Sequence, residues 1–234
     1  MNRIMLAALA ATSATAFATG AGAAERRFTV TDFDKIEVSG PFQVTLATGR
    51  PGSALASGSS DAIGRVSIEV EGRTLRIRPN RSAWGGYPGE GAGPLKIELS
   101  THALRSAFVS GAGSLNVDKA RAMKFDAGVS GSALLKIAQV ETDNLTLGLL
   151  GSGKIVIGGK AKTLRASIQG SGDLDAGALL ADDAQISAET AGTVVVGVNR
   201  TAKVTASGTG DTTISGKPAC TVKALGSGRV LCGR

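Results

Sequence analysis

The chain has 234 residues, of which 33 are glycine and only eight aromatic (six Phe, one Trp, one Tyr), and it carries a formal net charge of +7. So few rings exclude a core built on aromatic packing, and a single histidine, His102, excludes any triad or metal cluster that needs two imidazoles. Val, Ile, Leu and Ala must instead fill a thin, regular interior, which is the composition of stacked strands.

Residues 1–24 read as a secretory signal. Arg3 supplies the positive start, Ile4 to Phe17 is mostly apolar, and Ala21-Gly22-Ala23 offers small residues to a peptidase. The apolar run is broken by Thr12, Ser13 and Thr15 and falls short of the roughly 20 residues a spanning helix needs, so no transmembrane segment is expected in the mature chain. No cysteine stands near the cleavage point for lipid attachment. Losing the leader removes only Arg3 among the charges and leaves 25 basic against 19 acidic residues. Outside the cytoplasm such a surplus favours acidic glycans and cell-envelope polymers, and nucleic acid is the wrong partner for that compartment.

The mature part, 25–234, reads as one domain whose first portion, 25–100, is less regular. Ile36, Val38, Phe42, Val44 and Leu46 flank Ser39-Gly40-Pro41, and Val66 to Ile77 alternates about Glu71-Gly72, a hairpin signal. This portion is expected to begin the array and cap it. The basic run Arg73, Arg76, Arg78 and Arg81 leads into a glycine-rich stretch holding the only Trp, Trp84, and the only Tyr, Tyr87. Aromatic faces stack on sugars and arginines pair with acidic groups, so Trp84, Tyr87, Arg76, Arg78 and Arg81 form a candidate contact set for an acidic glycan. The competing reading folds both rings down as a lid on the end of the array.

From 101 to 234 a Gly-x-Gly turn or a close variant recurs at Gly111, Gly131, Gly151, Gly170, Thr190, Gly208 and Gly226. Two and four residues on either side of every turn stand aliphatic or small side chains, with Thr212 the one polar residue among twenty-eight such positions. Alternation at period two marks a strand with one buried face on each side of each turn. Two strands cannot bury such a face alone, whereas equivalent strands stacked from rung to rung close it into a continuous core. The predicted fold is all-β, a right-handed parallel β-helix (β-solenoid) with rungs of about 20 residues. A sandwich of hairpins is the structural competitor. Looser turns are expected at Ala133 and Thr190, and polar, solvent-facing connections at Gly158-Gly159-Lys160-Ala161-Lys162 and Asn199-Arg200-Thr201.

Asp173, Asp175, Asp182 and Asp183 lie close in sequence, but the period does not place an aspartate at each calcium-binding step, and they read as solvated turn carboxylates. The glycine turns lack the Gly-Lys-Ser/Thr of a phosphate loop. No cofactor and no metal is expected. Cys220 and Cys232, the only cysteines, fall on inward-facing positions of two opposed strands in the last rung, and in an oxidising compartment they are expected to pair.

The run Phe33-Asp34-Lys35-Ile36-Glu37-Val38-Ser39-Gly40-Pro41-Phe42-Gln43-Val44-Thr45-Leu46, followed by serial glycine turns through Gly226-Ser227-Gly228, resembles the family described as putative auto-transporter adhesin, head GIN domain. The resemblance runs from about Phe28 to Arg234. It implies a parallel β-helix, export from a bacterial cell and an adhesin-like role, and it supplies no catalytic residues. No barrel segment follows Arg234, so periplasmic or cell-surface or extracellular life is as much an expectation as a self-secreting adhesin. The functional expectation is a non-catalytic exported module that binds cell-envelope or extracellular polymers. A β-helix polysaccharide lyase or hydrolase, and a self-assembling structural envelope protein that forms homo-oligomers, stand as alternatives.

Overall fold

The computed structural model describes residues 24–80 and 95–233. The expected leader lies outside them, as do Arg81, Trp84 and Tyr87. Of the described residues 73% are strand and 3% helix, wound into a β-solenoid of about six turns.

Its regular part is built from β9 (Ser114–Gly131), β10 (Leu134–Gly151), β11 (Lys154–Gly170), β12 (Asp173–Thr190) and β13 (Val194–Ala206). Neighbours pair in parallel one repeat apart: Leu135 lies between Leu115 and Ile155, and Ile155 pairs with Leu174. Parallel pairing throughout this stack excludes the hairpin sandwich, in which sequential strands would run antiparallel. The inward columns are filled as the alternation requires. Twenty-four of the twenty-eight turn-flanking positions are buried, Thr212 included, and the four that are not, Val222, Ala224, Val230 and Cys232, belong to the last described rung, which no further rung covers among the described residues.

Two local expectations change. The connection at 158–162 is part of the ladder, for Val140 pairs with Gly159, Glu141 with Lys160 and Thr142 with Ala161. The chain bends there without leaving its neighbour, because Gly159 adopts φ 120°, where a Cβ would overlap the Val140 carbonyl. The second connection keeps the solvent-facing position expected of it, with Asn199, Arg200 and Thr201 all exposed, although Thr201 is paired to Asp183. These bends give the interior a third wall, lined by buried Ala120, Val140, Leu179 and Val198.

Nor are the turns at Ala133 and Thr190 looser than the rest. Ser132 and Leu134 donate to the carbonyls of Gly111 and Gly113, as Ser152 and Lys154 do to those of Gly131 and Ala133 one rung on. Ala133 tucks its methyl into the core, and Thr190 Oγ1 donates to Gly172 O at 3.0 Å while accepting from Gly192 N at 2.9 Å. Where glycine does matter is Gly153: a Cβ there would lie 2.5 Å from Ala133 O, too close for any side chain.

The array begins with a turn at Ser39-Gly40-Pro41. β2 (Lys35–Ser39) and β3 (Gln43–Thr48) form a rung about Gly40, stacked on β8 (Ser106–Gly111) and on the start of β9. Between that rung and the next, the chain inserts β4 (Ser53–Gly58), α1 (Ser60–Gly64), β5 (Val66–Glu71), β6 (Thr74–Pro79) and β7 (Lys96–Thr101). β5 and β6 make the expected hairpin. β6 and β7 stack in parallel on the far side of β2 and β3, and antiparallel β5, β4 and β1 (Ala24–Phe28) close that end of the sheet. Antiparallel closure removes the parallel template that an open edge would offer. Ser59 caps α1, its Oγ accepting from Ala62 N at 3.1 Å. The cap is pinned by Asp34, 4% exposed and bonded to Arg73 Nε at 2.9 Å, and by buried Thr101, which donates to Phe33 O.

At the other end stand β14 (Thr212–Ser215), β15 (Ala219–Ala224) and β16 (Val230–Cys232). Cys220 terminates the inward column Phe125–Leu145–Leu164–Ala184–Ala202, and Cys232 follows Val196 and Ile214 in another. The two are disulfide-bonded, with Cα atoms 6.6 Å apart.

Candidate functional site

Ladder registry turns each outward position into a column running along the solenoid. The column three residues before each turn reads Arg76, Glu37, Phe108, Gly128, Gly148, Ser167, Ser187, Thr205, Lys223. On one side of it run Lys35, Ser106, Asp126, Thr146, Arg165, Gln185 and Lys203, and on the other Ser39, Ser110, Ser130, Leu150, Gln169 and Glu189. One flat outer face therefore carries a charged band at its capped end, then one aromatic ring, then a floor of small residues.

The Phe108 ring is 44% exposed and leans across onto Gly128, where a Cβ would stand 2.8 Å from two ring carbons. Beyond it an open groove of about 400 Å³ extends over Gly148 to Ser167 and Gln169, with Leu150, 55% exposed, on its turn-side rim. That volume falls within the range of ordinary ligand clefts. The groove escaped sequence reasoning, which followed inward positions; its signal was Phe108, Gly128 and Gly148 at outward positions of consecutive repeats.

Arg76 and Arg78 lie at the head of the same face. Arg76 Nε contacts Glu37 Oε2 at 3.0 Å and its Nη1 contacts Glu71 Oε2 at 2.5 Å, while Arg78 Nη2 lies 2.8 Å from Glu69 Oε2. The Ser67 hydroxyl first, and Arg78 with it, hold the Glu69 carboxyl below its usual range. Both guanidinia are thus half exposed and already ion-paired. Their partners Trp84, Tyr87 and Arg81 lie outside the described residues, but the flanks of that segment are placed: Pro79 stands beside Gly40, and Gln43 N donates to Leu95 O at 3.2 Å. Pro79 and Leu95 therefore both stand at the edge where other rungs make a tight turn.

Other candidates do not converge. His102 Nδ1 is 3.1 Å from Asp32 Oδ1, and with the Thr101 hydroxyl this ties the chain before β2 to the end of β7. Asp173 accepts from Thr193 N, Asp175 from Gly177 N, and Asp183 pairs with Arg200 at 2.6 Å. Among the described residues no three His, Cys, Asp or Glu side chains gather into a group that could hold a metal ion. No helix among them is long and apolar enough to cross a membrane.

A family model described as putative auto-transporter adhesin, head GIN domain matches residues 32–218. No curated protein matches the sequence. Among solved structures, a protein from Bacteroides fragilis described as a putative adhesin superposes with a TM-score of 0.83 at 17% identity, covering 91% of this chain and 98% of its own. One from Parabacteroides distasonis described as a putative adhesin gives 0.70 at 20% identity, covering 90% and 96%. Another from Parabacteroides distasonis, described as a putative lipid binding protein, gives 0.69 at 20% identity over 91% and 97%. At these identities the likeness is one of fold.

Proposed function

Since the chain belongs to the putative auto-transporter adhesin, head GIN domain family, we propose that it is an exported, adhesin-like module that binds cell-envelope or extracellular polymers and does not transform them. The observation that carries this reading is the outer face with its open groove beside Phe108, lined along the direction of the stack from Glu37 through Phe108, Gly128 and Gly148 to Ser167. Such a surface suits an extended chain better than a small metabolite, which calls for an enclosed cleft. Export to the periplasm or the cell surface completes the proposal.

An acidic glycan remains the preferred polymer class. Lys35, Arg165 and Lys203 stand exposed in one outward column beside the groove, outside the ion pairs among the described residues. Arg76 and Arg78, at the capped end, extend the contact, and Arg81, Trp84 and Tyr87 remain candidates for the same contact set from the sequence. A glycan array probed with purified protein, followed by mass spectrometry of the incubated polymer, tests both halves. Retention without new products is expected; released fragments would reassign the protein to polymer cleavage, and absence of retention on every glycan would remove the reading.

One observation favours a second reading, self-association through the uncovered rung. Val222 is 43% and Leu225 63% exposed there, whereas Val204, one rung inward of Val222, is 1% exposed. Light scattering across a concentration series decides it.

A further inference from the structure

Gly128 and Gly148 sit in the middle of long strands, where glycine weakens pairing and gives up a side chain that could pack. Gly128 has a structural reason, since any side chain there would displace the Phe108 ring. Gly148 has none: a Cβ built on it meets nothing within 4 Å, and its φ is not in the left-handed region. A strand-interior glycine without a packing cause commonly marks close approach by something outside the sheet.

We infer that the groove between Phe108 and Gln169 is a stacking subsite for an uncharged sugar ring within a bound polysaccharide. The inference rests on the polymer-binding reading and deepens it by naming the ring that is recognised. A pyranose presents an apolar C–H face with hydroxyls around its edge. The groove answers with an apolar floor and wall, Phe108, Gly148 and Leu150, and a rim of hydroxyl and amide groups from Ser110, Ser130, Ser167 and Gln169. None of these carries a charge, and Glu37, the one ionisable residue lining the groove, is engaged by Arg76 at 3.0 Å. The ring next to the groove is therefore neutral, and acidic sugars of the same polymer reach the basic column at Arg165 and Lys203.

The test uses calorimetric titration of the full exported chain with a neutral hexose oligosaccharide and with a uronic-acid oligosaccharide of equal length, repeated for Phe108→Ala and Gly148→Val. The neutral probe should bind the unsubstituted protein and lose about tenfold in affinity, the equivalent of about 1.4 kcal/mol, in each variant. Gly148→Val should keep or raise the melting temperature, because valine suits a strand interior and nothing obstructs it, so its loss of binding cannot be ascribed to unfolding. Equal binding by all three proteins overturns the subsite while leaving polymer binding intact. Failure of the unsubstituted protein to bind any polymer on the glycan array overturns the broader reading and this one together. Binding of the uronic-acid probe alone overturns the neutral ring. Binding of phosphatidylglycerol vesicles that Phe108→Ala abolishes and the neutral probe does not compete away replaces the sugar with a lipid surface.

Discussion

Leu134 and Leu135 are neighbours in β10, identical in chemistry and opposite in direction, so replacing each by alanine isolates the effect of facing the core. Leu135 is 0% exposed and lies between Leu115 and Ile155, which are 0% and 1% exposed; Leu134 is 37% exposed between Ser114 and Lys154. Removing a buried leucine costs its transfer energy plus the cavity that remains, about 2–5 kcal/mol. Here the cavity has little means of collapse, since ladder hydrogen bonds fix the strands on both sides, and the upper part of that range, about 3–5 kcal/mol, is expected. For a domain of this size about 1 kcal/mol moves the melting temperature by about 2–4 °C, so Leu135→Ala should lower it by about 6–20 °C. Leu134→Ala should cost under about 1 kcal/mol. Urea and thermal unfolding followed by far-ultraviolet circular dichroism measures both. Stacked rungs contact only their neighbours, so Leu135→Ala is also the variant expected to split the transition. Equal losses, or a larger one from Leu134→Ala, would refute the assignment of faces and with it the columns on which the groove is defined.

Three further outcomes are expected. Thr212 is 1% exposed and its Oγ1 has no hydrogen-bond partner among the described residues, so Thr212→Val should stabilise by about 1–2 kcal/mol in urea titrations; destabilisation would mean the hydroxyl is satisfied. Reducing the Cys220–Cys232 bond should cost up to about 3 kcal/mol by the loop-entropy estimate, as increased proteolysis confined to the last rung, and global unfolding would contradict a chain of neighbour contacts. The His102 hydrogen bond, foremost, lowers the pKa of Asp32, with Thr101 assisting. A carboxyl depressed in the folded state adds stability above its unfolded pKa and loses it as pH falls through the folded value, so the tie should fade below about pH 4. Asp32→Asn should flatten that part of a melting-temperature–pH profile, and an unchanged acid limb would remove the tie.

The inward half of the molecule was legible in the sequence because burial enforces it: a polar residue at Leu115 or Ile186 would cost stability in every rung it touched, so the period of two shows through. The disulfide was legible for the same reason, as Cys220 and Cys232 occupy inward positions. The bend at Gly159 was not, since a chain that turns while staying paired has the polar, glycine-bearing composition of a loop. The insertion of β4 to β7 between two adjacent rungs was legible only in part, because stacking order departs from chain order there. The outward face was the least legible. Nothing in folding demands a particular residue at 108, 128 or 148, and only the registry between rungs shows that Phe108 and the two glycines are neighbours.

The most direct measurement is a crystal structure of the protein with a fragment of the polymer selected on the array. The account predicts the fragment lying along the solenoid axis on the face of Phe108, Gly148 and Ser167, with a sugar ring against Phe108 and acidic groups toward Arg165. A fragment seated on the opposite outward column through Asn116, Lys136 and Val156, or at the uncovered rung about Val222, would contradict it.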